Sequence, residues 1–134
     1  MTPNTDARAA AKLFLPSIRA AVIIALLGIA ALGTALWLRY SIVQNSDIGI
    51  ACEAGKERFI CTLRLAAIML FARGAFGWAA LIAAAIQLWR PNVVTFGAGI
   101  VFTLLGLVLY NTRVAALAAA LLVLSLARPS PEAR

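Results

Sequence analysis

The chain has 134 residues, 63% of them apolar and 13% charged, with a mean hydropathy of +0.96. A soluble domain is about half apolar, so this composition argues against a disordered chain and an ordinary water-soluble domain, and an integral membrane protein is expected. Twelve Lys and Arg against five Asp and Glu give a net charge of +7; the cations punctuate apolar stretches instead of clustering, which points to lipid head groups and away from nucleic acid.

In chain order, residues 6–15 are Ala-rich and carry Arg8 and Lys12. With Thr5 or Asp6 as a cap and Pro16 as a stop, they predict a short interfacial helix. Residues 18–38 predict the first transmembrane helix: 20–38 carry no charge, sit between Arg19 and Arg39 and would span about 28 Å. Gly33-Thr34-Ala35 would suit cleavage of a secretory signal, but the apolar run is long for one. Residues 39–64 predict an extracytoplasmic loop. Residues 65–89 predict the second span, interrupted only by Arg73 and closed by Pro91; at about 37 Å it must tilt or extend past the bilayer. The third span is expected at 93–110, followed by a tight connection through Asn111, Thr112 and Arg113. The fourth is expected at 113–128, where a short uncharged stretch relies on Arg113 and Arg128 snorkelling, with a re-entrant or interfacial segment as the alternative. The expected fold is all-α: one membrane domain, an integral membrane bundle of four transmembrane helices with a short N-terminal interfacial helix.

Orientation rests on a thin margin. With the N-terminus inside, Arg8, Lys12, Arg19, Arg90, Arg128 and Arg134 are cytoplasmic, against Arg39, Lys56, Arg58, Arg64 and Arg113 outside, with Arg73 within the membrane. Cys52 and Cys61 lie in the same loop, and a disulfide there suits an oxidising exterior. Both termini are therefore expected in the cytoplasm, in a bacterial inner membrane, with Trp37, Tyr40 and Tyr110 as an outer aromatic belt and Trp89 on the inner face.

The absence of His removes bis-histidine haem, imidazole-dependent zinc sites and His acid–base chemistry from what this chain can supply. The five acids, Asp6, Asp47, Glu53, Glu57 and Glu132, fall in terminal or loop segments, away from the depth where proton-coupled transport places a carboxylate. No catalytic residue, metal ligand or cofactor is expected. A Cys52–Cys61 bridge reads first as a staple; thiol oxidoreduction is the sharper alternative, with Lys56 and Arg58 nearby, but the spacing is not Cys-x-x-Cys. Arg73 is the charge placed inside an apolar helix. Steps of three and four put it on a seam with Ala66, Leu70, Gly77, Ala80, Ala84 and Gln87, facing the bundle, where Thr34 and Thr103 would complete an intramembrane polar site. Gly77, Ala80, Ala84, Thr95 and Gly99 are expected to serve close helix packing.

These features suggest a non-catalytic membrane protein, an accessory, scaffold or regulatory subunit. Its expected partners are membrane lipids and either further copies of itself or a larger membrane protein. The alternative is an oligomeric transporter or flippase component that receives an anionic substrate or lipid head group at Arg73.

Overall fold

The computed structural model describes residues 13–56 and 58–129, and among these the chain is helical with no β-strand. The helices are α1 Ile18–Trp37, α2 Ser46–Glu53, α3 Arg58–Ala72, α4 Ala75–Trp89, α5 Val93–Val108 and α6 Thr112–Leu126.

Local chemistry sets their ends. Just after Pro16, Ser17 Oγ accepts the Ala20 N–H at 3.3 Å and caps α1. The helix then runs past the expected end at 38 into a π-helical turn, Leu38–Val43, in which the Gln44 N–H reaches back to the Arg39 carbonyl at 2.9 Å. Asn45 caps α2 through the Asp47 N–H and Asn92 caps α5 through the Val94 N–H, both at 3.0 Å. The expected loop 39–64 is thus largely helical, with the π-helical turn, α2 capped by Asn45, and the first turns of α3 within it.

The expected second span is broken. Gly74 adopts a left-handed conformation, φ 72°, which ends α3 and starts α4 at a bend of 52°. The single helix expected over 65–89 is thus two helices set at an angle. After α5, Tyr110 also has a positive φ of 64°, and the Asn111 N–H closes the turn on the Gly106 carbonyl at 2.9 Å. The third and fourth segments are therefore slightly shorter than expected.

Ile18–Val43 is the described helix that is long and apolar enough to cross a membrane by itself, with 26 residues and a mean hydropathy of 2.4 in its most apolar window; α3 and α4 together pass as one bent span. Helices α5 and α6 are shorter apolar helices, so length and composition alone support one or two spans, not the expected four. Residues 6–12 of the expected interfacial helix lie outside the described residues. Leu13 is not helical: it pairs with Pro129 in an isolated antiparallel bridge, and the Phe14 N–H bonds to the Arg128 carbonyl at 2.9 Å. Pro16 disfavours helical backbone at Leu15 in any case.

Helices α4, α5 and α6 pack as an alternating three-helix bundle. A Cβ on Gly106 would meet Ala115 Cβ at 3.0 Å and Gly77 Cα at 3.5 Å, so all three backbones converge there. Helix α1 lies parallel to α5: Gly97 faces Ile24, Gly28 faces Ile100 and Leu104, and Arg39 reaches Val108. The long helices therefore run up, down, up, down, in the order α1, α4, α5, α6. Two apolar clusters fill the interior. Phe14, Ile24, Ala80, Ala84, Phe96, Ala118 and Leu122 form one, and Ala35, Ala67, Phe71 and Leu109 form the other where α3 leans on the upper part of α1.

Candidate functional site

Arg73 is exposed. It occupies the break between α3 and α4, and the neighbouring Gly74 abuts Asn111, whose Oδ1 would lie 3.1 Å from an added Cβ. Arg73 therefore lies beside the α5–α6 turn and not in the bundle interior. The seam was laid through one unbroken helix, and the left-handed Gly74 resets its phase. After the break Gly77, Ala80, Ala84 and Gln87 are buried; before it Ala66 and Leu70 are exposed, and α3 buries Ala67 and Phe71 instead.

The intramembrane polar site does not assemble. Thr34 is exposed and returns its hydroxyl to the Ala30 carbonyl of its own helix at 2.8 Å. Thr103 is 5% exposed, and its Oγ1 has no hydrogen-bond partner among the described residues. It precedes the end of α5 by five residues, about 8 Å below the turn beside Arg73. Of the other expected packing residues, Gly99 is buried against Leu122 and Thr95 is half-buried.

A different arginine is built into the fold. Arg39 is half-buried in the π-helical turn, its Nη1 donates to the Val108 carbonyl at 2.7 Å, and its guanidinium lies 4.3 Å from the Tyr110 ring centroid and 5.6 Å from that of Tyr40. Tyr110 in turn accepts from Gln44 Nε2 at 2.6 Å. The carbonyl is available because α5 ends at Val108, and the extra residue per turn of the π-helix rotates Arg39 toward it. Arg64 makes a weaker counterpart, donating from Nη2 to the Val43 carbonyl at 3.4 Å and tying α3 to the end of the π-helical turn. The sequence marks Arg39, Tyr40 and Tyr110 as groups at a common depth, but carries no sign of the π-helical turn that brings them into contact.

Cys52 in α2 and Cys61 in α3 are disulfide-bonded, with Cα atoms 5.5 Å apart. The bridge staples α2 onto the first turns of α3. Gln87, with no exposed surface, accepts the Asn92 N–H on Oε1 at 3.0 Å and so fastens the α4–α5 turn from within. At the same end Arg128 Nη1 donates to the Leu88 carbonyl.

Two grooves flank the contact between α1 and α5, about 500 and 390 Å³, lined entirely by apolar residues and by Pro16 and glycine. They arise because α1 touches the bundle along a single narrow stripe, Ile24, Gly28 and Ala35, the buried residues of that helix. No protein-family model, curated protein or solved structure matches the chain.

Proposed function

We propose that the chain is a non-catalytic integral membrane protein in which α1, α4, α5 and α6 cross the bilayer and α1 offers a docking face to a partner, so that the protein acts as an accessory, scaffold or regulatory subunit. The observation that carries this reading is the distribution of side-chain size. Small residues predominate between α4, α5 and α6, where Gly77, Ala80, Ala84, Gly99, Gly106, Ala115 and Ala118 are buried beside a few larger ones such as Phe96 and Leu122, whereas Trp78, Ile82, Ile86, Leu117, Val123 and Leu124 face outward. Water would drive the large apolar groups inward; in hydrocarbon that force is absent and small residues gain by letting backbones approach. Helix α1 repeats the pattern, with 17% of its most apolar window buried.

A partner is favoured by the far side of α1. Ala30, Gly33 and Thr34 are exposed together, and nothing lies within 4 Å of a Cβ built on Gly33. Such a small-residue patch admits a second helix at close range, whether from another copy or from a larger membrane protein. The transport alternative relies on Arg73, Thr34 and Thr103 as one site; it is favoured less, because Arg73 and Thr34 are exposed whereas Thr103 is buried. The bridged Cys52–Cys61 pair favours an oxidising exterior for α2 and α3, and hence cytoplasmic termini in a bacterial inner membrane.

A photo-crosslinking residue placed at Gly33, with a second placed at the equally outward Leu117, tests the docking face in native membranes. A discrete adduct of one mass from position 33 and none from 117 is expected. Equal, diffuse labelling of lipid from both positions would contradict a docking role for α1.

A further inference from the structure

Helix α1 meets α5 along one line, and the larger of the two flanking grooves runs beside it, between Ala20, Ile23 and Leu27 on α1 and Val94, Ala98 and Val101 on α5. Its origin is the size of the residues at the seam. A Cβ on Gly97 would meet Ile24 Cγ1 at 3.3 Å, so the backbones are held close, while Ala20 and Ala98 beside that contact are too small to fill the flank. The result is a channel about 500 Å³ in volume, within the range of ligand sites.

Two arginines flank one end of this groove in the sequence. Arg19 directly precedes Ala20, Arg90 lies three residues before Val93, and both are exposed. The carboxylates of Asp47 and Glu53 belong to α2, beyond the opposite end of α1. A hydrocarbon slot that opens beside two arginines and is remote from the described acids is complementary to an amphiphile with an anionic head.

We propose that this groove holds an acyl chain of an anionic phospholipid, its phosphate seated between Arg19 and Arg90. The proposal rests on the membrane-crossing reading, which sets the arginines at head-group depth and the groove among acyl chains. Lipid binding in this slot is independent of any protein docked at Gly33.

The test is native mass spectrometry of the full chain in detergent, titrated with phosphatidylglycerol or with phosphatidylcholine of the same chains. Preferential retention of phosphatidylglycerol is expected. Replacing Arg19→Gln and Arg90→Gln should weaken it about fivefold per arginine, toward the phosphatidylcholine level. Val94→Phe, at a rim position that is 75% exposed and so outside the core, should block both lipids, and inorganic phosphate should not compete. Equal retention of the two lipids by the unaltered chain, unchanged binding by Val94→Phe, or displacement by inorganic phosphate alone would overturn the proposal. Circular dichroism of each variant separates lost binding from lost fold. Release of the chain from membranes by alkaline carbonate would defeat the membrane reading itself; lipid indifference in a chain that stays embedded defeats only the lipid site.

Discussion

Arg39 and Arg73 both interrupt apolar sequence, yet the fold treats them oppositely. Arg39 is held by the Val108 carbonyl and two tyrosine rings; Arg73 stands exposed at a helix break. A charged hydrogen bond together with a cation–π contact contributes about 2–3 kcal/mol, and an exposed residue outside such contacts changes stability by less than about 0.5 kcal/mol. Arg39→Gln is therefore expected to lower the thermal midpoint of the detergent-solubilised protein clearly, and Arg73→Gln to leave it nearly unchanged. Comparable shifts for the two would contradict these placements. Sequence spacing alone favours Arg73, because an isolated charge in an apolar run is conspicuous while one at its edge reads as a boundary. Spacing conveys position along a helix; what it does not convey is the break at Gly74 that rotates everything before it.

At the scale of elements, the positions of the apolar segments were legible and their continuity was not. Hydropathy distinguishes charged from uncharged stretches, so α1, α5 and α6 begin within two residues of the expected segments. The π-helical turn after Trp37 and the 52° bend between α3 and α4 depend on a few backbone torsions and on tertiary contacts that hydropathy does not register. Glycine shows the same division. Gly106→Ala would drive a Cβ to 3.0 Å from that of Ala115, beside the Gly77 backbone, where no flexible side chain can yield; overpacking of this kind costs about 1–3 kcal/mol. Gly33→Ala meets open space and should be neutral or slightly stabilising, since Ala is the better helix former by about 1 kcal/mol. Chemical unfolding of both variants is expected to separate them in that order, and a destabilised Gly33→Ala would mean that α1 packs on this face within the monomer.

For the whole molecule, small residues predominate among the buried ones while most large apolar side chains are exposed, which supports the proposed membrane setting more than the length of any single helix does. Helices α5 and α6, with 16 and 15 residues, would cover only about 22–24 Å of a hydrocarbon layer near 30 Å, and a bilayer can thin or arginines snorkel to meet them. Because Arg73 lies at the end of the bundle that holds Asn111, counting it with the expected outer set makes the expected inner and outer sets of Lys and Arg equal, six each, and removes the asymmetry behind the expectation of cytoplasmic termini. The proposed orientation rests on the Cys52–Cys61 bridge alone. The most direct measurement is the immersion depth of nitroxide labels on single cysteines at Leu27, Ile82, Val101 and Leu117, one on each long helix, in vesicles, with the native pair left bridged. Four helices crossing the bilayer require oxygen to relax all four labels more strongly than a water-soluble nickel chelate does. Stronger relaxation by the chelate at Val101 or Leu117 would show that the shorter helices do not cross.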